Sequence, residues 1–123
     1  MATAAATRGA MLVSALARAL GSDASGLEVF YMPTMDIASH QCSGFEALVR
    51  YTHPQLGAVS PTLFVPLAEQ EGLASALGDF VRGQVARDVR AGLLSTIRVA
   101  VNVSALELAD PQFADRFLDL LDH

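Results

Sequence analysis

The sequence predicts an α/β fold, and three observations carry that expectation. Residues 27–35 and 44–52 both alternate in side-chain character and flank a turn at 38–43, so they can pair as a hairpin. Ser60-Pro61 and Asp110-Pro111 are helix-start signals, each joining a capping side chain to a proline suited to the first helical position. Residues 97–104 form a third strand pattern between helical segments, valine-rich on one face. The resulting order is helix, strand, strand, helices, strand, helix.

The elements follow in turn. Met11, Leu12, Ala15, Leu16, Ala19 and Leu20 fall on one helical stripe, with Arg8 and Arg18 off it. The same stretch faintly resembles a short signal peptide, but Arg18 interrupts the tail of that pattern, and an amphipathic entry helix fits better. Residues 21–26, rich in glycine and serine, break it. In the first strand Leu27, Val29, Tyr31 and Met35 share one face, opposite Phe30 and Met32. Residues 53–57 read as a loop. The helix opened by Ser60 runs to Gly72, with a bend expected at Pro66. Leu73, Leu77, Phe80, Val81, Val85 and Val89 stripe the next helix, which ends at Gly92. The third strand sets Arg98, Ala100, Asn102 and Ser104 on one face, with Asn102 near the carboxyl end, where α/β folds place ligand sites. The final helix carries Phe113, Phe117, Leu118 and Leu121.

Composition narrows the function. A chain of 123 residues makes one domain and buries about two-thirds of its unfolded surface. Hydrophobic residues are 52% and charged residues 17%, so the chain folds rather than staying disordered. Eight Lys and Arg against thirteen Asp and Glu give a net charge of -5, which argues against nucleic-acid binding. A local basic pocket for a small phosphate ligand needs only one or two arginines. Cys42 is the single cysteine, so no intrachain disulfide forms and a cysteine-ligated zinc site is excluded in practice. No apolar run is long enough for a membrane span, and a cytoplasmic location is expected.

Residues 44–50 concentrate the chemistry. Strand alternation puts Glu46, Leu48 and Arg50 on one face, with Phe45, Ala47, Val49 and Tyr51 on the other. A buried charge without a partner is costly. A face holding an acid and a base among apolar neighbours is therefore either the floor of a polar site or a one-sided surface strand with both charges in water.

Four motifs then occur in order: Tyr31-Met32-Pro33; Gly44-Phe45-Glu46-Ala47-Leu48-Val49-Arg50; Ser60-Pro61 with Phe64-Val65-Pro66-Leu67-Ala68-Glu69; and Asn102-Val103-Ser104-Ala105. Together they make the chain resemble the EAL domain, the bacterial cyclic di-GMP phosphodiesterase and receptor module, from about residue 12 to 123. The resemblance implies a partial TIM-like barrel of about three strands with flanking helices, the first strand antiparallel to the others. It divides the chain into an entry helix and linker over 1–26 and the amino-terminal half of an EAL-like domain over 27–123. It implies that Glu46 and Asn102 hold a divalent metal, magnesium or manganese, that Arg50 contacts a ligand phosphate, and that Leu48 and Pro61 line the nucleotide site. The residue types suit those tasks: hard cations take oxygen donors, and a guanidinium forks onto phosphate oxygens.

Two departures bear on activity. Met32 stands where the family usually has a glutamine that contacts the nucleotide, and a thioether has no donor to replace it. The family's later motifs, which bring further carboxylates and a lysine near the attacking water, are not in this sequence. The expectation is a truncated EAL-like domain, inactive alone, acting in nucleotide sensing or protein interaction, with cyclic di-GMP a candidate ligand that Arg50 favours and Met32 with the open pocket opposes, and the open barrel edge driving homo-oligomerisation or pairing with another chain. The alternative is the front half of a working metal-dependent phosphodiesterase, completed by further sequence or a second chain. The remaining candidates read as structural. His40 belongs to a surface turn, His53 is a hydrogen-bonded histidine at a strand end, Glu69 and Glu71 are solvated, and Met32 and Met35 are packing residues.

Overall fold

The computed structural model describes residues 4–94 and 98–121. In chain order these form α1 (Ala4–Leu20), β1 (Leu27–Met35), β2 (Cys42–His53), β3 (Gly57–Val59), α2 (Pro61–Gln70), α3 (Ala74–Arg90), β4 (Arg98–Val101), α4 (Ala105–Leu108) and α5 (Phe113–Leu121). The expected α/β order holds, with two short elements, β3 and α4, added to it. The expected first residue of the third strand, Ile97, lies outside the described residues, and that strand ends at Val101 rather than Ser104.

The long strand β2 is the spine of one sheet. β1 pairs with it antiparallel from Leu27 opposite Tyr51 to Thr34 opposite Gly44. β4 pairs with it in parallel, setting Glu46 opposite Ala100. β3 folds back on its far end, with Val59 opposite Tyr51. The antiparallel first strand expected of the barrel is therefore present. Gly44 is required where β4 docks, because a Cβ there would stand 2.6 Å from the Arg98 carbonyl oxygen.

Helices cover one face of this sheet. Leu12, Leu16 and Ala19 of α1 meet Leu27, Tyr51, Phe64, Ala68 and Leu77 in one buried cluster. Tyr51 and Phe64 touch edge to face at 5.8 Å between centroids. A second cluster joins Ala47 of β2 to Val81 and Val85 of α3, with Val99 and Val101 of β4 against it. Alternation along β2 delivers Ala47 and Tyr51 to this side and turns Glu46, Leu48 and Arg50 to the other, as expected.

Local signals act where the sequence carries them. Ser60 is extended and its Oγ accepts from the Thr62 N–H at 3.3 Å, while Pro61 opens α2. The helix continues through Pro66 to Gln70. The last helix begins at Phe113, two residues later than its signal suggests, because Asp110 accepts from the Gln112 N–H at 2.9 Å and the turn between them stays outside the helix.

Four expectations about packing are corrected. Met35 leaves the inner face because the β1–β2 register shifts between Thr34 and Met35; it is 57% exposed. Met32 lies on the opposite face at 54% exposure, so neither methionine is a packing residue. Val89 is also exposed, one turn beyond Val85, the last buried core residue of α3. None of the apolar residues of α5 is buried. Among the described residues no helix is long and apolar enough to cross a membrane.

Candidate functional site

The face of β2 turned away from the helices receives side chains from both neighbours. Register places Met32 beside Glu46, Phe30 beside Leu48 and Glu28 beside Arg50 from β1. From β4 it places Ala100 on the other side of Glu46. Asn102 follows one residue after β4 ends and is exposed. The parallel register therefore puts Glu46 beside Ala100, two residues before Asn102, along one sheet face.

Arg50 is exposed, and its guanidinium carbon stands 4.1 Å from the centroid of the Phe30 ring. A cation over an aromatic face gains electrostatic attraction and loses rotamer freedom. The stack holds the guanidinium against Phe30 of β1.

A cleft of about 750 Å³ opens beside this face and reaches through to Leu77, Gly78 and Val81 of α3. Leu48, Arg50, Pro61 and Asn102 all line it, together with Glu28 and Glu69. Four of the five residues singled out in the sequence thus meet in one cavity. Glu46 is half-buried and lies beyond the lining, further along β2 toward Gly44. Glu69, read as solvated, is half-buried and faces the cleft instead.

Glu46 and Asn102 offer one carboxylate and one amide oxygen, the right donor type for a hard divalent cation. They are few in number. Among the described residues no three histidine, cysteine, aspartate or glutamate side chains are grouped to hold a metal. Such a pair suits an ion that keeps most of its waters, not a closed protein cage.

The two histidines read as structural behave as such. His53 is buried, and its Nδ1 accepts from the Gln55 and Leu56 N–H groups, each at 3.1 Å. That acceptor role fixes the tautomer with its proton on Nε2. His40 is exposed in the β1–β2 turn at φ 59°. Burial pushes the Tyr51 phenol pKa up, against a smaller opposing pull from Arg18.

Three groups escaped the sequence reading. Glu28 and Phe30 reach the site only through strand register, which alternation within one strand does not specify. The third is a buried ion pair between Arg82 of α3 and Glu107 of α4, each side chain 4% exposed. Its signal was available. Ser104-Ala105-Leu106-Glu107 is a capping-box pattern, and the structure forms both of its hydrogen bonds.

The comparisons agree with this fold. The family model for the EAL domain matches residues 13–123. A cyclic di-GMP phosphodiesterase of Pseudomonas aeruginosa is 38% identical over 111 residues, covering 89% of this chain and 19% of that protein. Cyclic di-GMP phosphodiesterase NbdA of the same organism is 35% identical over 99 residues, covering 78% of this chain and 13% of its own length. Among solved structures, the PaMucR phosphodiesterase in complex with c-di-GMP superposes with a TM-score of 0.80 at 34% identity, covering 89% of this chain and 45% of that one. The FimX EAL domain of Pseudomonas aeruginosa bound to c-di-GMP is 21% identical at a TM-score of 0.76 and shares the fold, covering 90% of this chain and 44% of that one. The chain thus spans under a fifth of these curated relatives and just under half of these solved chains.

Proposed function

Since the chain belongs to the EAL domain family, we propose that it is the amino-terminal half of a cyclic di-GMP-recognising domain, inactive alone and acting in nucleotide sensing or protein interaction. The observation that carries this reading is the meeting of Leu48, Arg50, Pro61 and Asn102 in one cleft, with the Arg50 guanidinium held over Phe30. A guanidinium so placed forks onto phosphate oxygens with two parallel hydrogen bonds. Leu48 and Pro61 supply apolar wall to the same cavity.

Glu46 and Asn102 would hold a magnesium or manganese ion, weakly, with water filling the other positions. When bound, such an ion supplies charge neutralisation at phosphate oxygens. Hydrolysis asks for more. Activating water and holding the ions takes several carboxylates, and this pair contributes one. Binding without turnover follows from that shortfall.

A second reading makes the chain the front half of a working phosphodiesterase, completed by further sequence or another chain. It is favoured by the shared sheet face of Glu46 and the β4 strand leading to Asn102. Supplying a carboxyl-terminal EAL half in trans separates the two: magnesium-dependent hydrolysis appears only under the second. Self-association, or pairing with another chain, through the uncovered barrel edge belongs to both, and so does a cytoplasmic setting, which suits the unpaired Cys42.

The direct test is calorimetric titration with cyclic di-GMP, with and without magnesium, beside Arg50→Ala. Saturable binding that the substitution weakens by about tenfold or more supports the sensing site, because a charge-assisted hydrogen bond is worth about 1.5–3 kcal/mol. A folded chain that gives no binding heat and no competition removes the nucleotide reading and leaves assembly.

A further inference from the structure

We propose that the buried Arg82–Glu107 pair, seated on Gly78, is a positioning latch that fixes the segment bearing Asn102 against α3; its bearing on metal binding rests on the reading just given. Asn102, Val103 and Ser104 run from the end of β4 into α4 without strand pairing of their own. β4 holds only the entry to that segment. Glu107 holds the exit. One carboxylate oxygen, Oε2, accepts from the Ser104 N–H at 2.9 Å, and the Glu107 N–H donates to Ser104 Oγ at 3.2 Å.

The other oxygen, Oε1, faces Arg82 Nη1 at 2.8 Å. Neither atom has an aligned hydrogen bond, so the contact is ionic. Arg82 is fixed in turn: its Nη2 donates to Asp79 Oδ1 at 2.9 Å, and its guanidinium carbon lies 4.9 Å from the Phe113 ring centroid. A helical capping box needs no arginine from another element. Here one carboxylate serves both the cap and a bridge to α3.

Gly78 makes the bridge possible. A Cβ there would stand 2.6 Å from Glu107 Cδ and 2.9 Å from Arg82 Nη1. Both partners of the pair would have to move, and Gly78, with Glu107, borders the same cleft that Asn102 lines. Glycine in a helix interior is otherwise unfavourable relative to alanine. An alanine here raises helix propensity and dislodges the latch, so the two effects oppose each other and can be read separately.

Amide hydrogen exchange on the whole chain tests this without any ligand, comparing wild type, Gly78→Ala and Glu107→Gln. The latch predicts exchange at Ser104 and Glu107 faster on the order of ten- to a hundredfold in both variants, with Val49 of the central strand unchanged as internal reference. Unchanged rates at Ser104 and Glu107, or a uniform rise that includes Val49, overturn it. Manganese titration of the same proteins then reads the consequence for Asn102: looser segments should bind the ion more weakly, in the same order. Loosening with wild-type manganese affinity overturns the positioning role. A wild-type chain that binds no manganese overturns the metal reading, while the exchange rates still decide the latch.

Discussion

Burial and the neighbouring Asp88 carboxylate, which accepts from its hydroxyl, both favour the neutral phenol of Tyr31 and push its pKa far above the ordinary 10.0. The unfolded chain ionises this phenol near its ordinary value, while the folded chain keeps it protonated. The unfolded state therefore holds fewer protons above 10.0, and stability falls as pH rises from there toward the folded value; below 10.0 the contribution is whole. Tyr31→Phe should flatten this alkaline decline and cost about 1 kcal/mol at neutral pH for the lost hydrogen bond. Urea midpoints measured at about pH 7 and about pH 11 check both. Equal alkaline slopes in the two proteins would contradict the assignment; a small residual slope is expected from Tyr51, whose pKa burial also raises. At this scale the candidate site was half legible. Alternation in one strand was enough to put Glu46, Leu48 and Arg50 on one face. Phe30 and Glu28 were not recoverable as their neighbours, because pairing register is a property of two strands together. Met35 was misplaced for the same reason, since the irregularity after Thr34 leaves no mark in the alternation.

Elements that span several periods were legible, and those that barely complete one were not. β1, β2, α2 and α3 run 9, 12, 10 and 17 residues, long enough for alternation or a helical stripe to repeat. β3 has three residues and α4 has four, and each exists because of what it packs or caps against. Their formation depends on tertiary contacts more than propensity. The same contrast sets the energetic ranking within α2. Ser60 supplies one cap hydrogen bond at an exposed helix start, so Ser60→Ala should destabilise by about 1 kcal/mol. Phe64 is 1% exposed at the junction of α1, α2 and β2, so Phe64→Ala should cost about 3–5 kcal/mol. Chemical denaturation of both variants compares them directly. Equal losses would mean that the helix start, not the aromatic contact with Tyr51, anchors α2 to the sheet.

Across the whole molecule the helices cover one sheet face and leave apolar surface elsewhere. Leu106 and Leu108 of α4 and Phe117, Leu118 and Leu121 of α5 are all exposed, and the Met32 face of β1 is exposed as well. Exposed apolar surface of this kind favours association, as does a sheet edge without a partner. The partial barrel expected from the sequence gives both features one origin, because strands and helices that close a barrel bury each other's flanks. The net charge of -5 opposes association only weakly at ordinary ionic strength, since charges separated by more than about 8 Å are screened at physiological salt. Sedimentation velocity over a wide concentration range should therefore show a mass that rises with concentration. Leu118→Glu, on the α5 face, should shift that rise to higher concentration while leaving the urea midpoint nearly unchanged, since Leu118 is 55% exposed. A chain that stays monomeric throughout would show that this surface tolerates water, and the protein-interaction half of the proposed function would lose its physical basis. Association unchanged by Leu118→Glu would instead move the contact from α5 to the sheet edge, where a charged substitution on β4 is the next variant to measure.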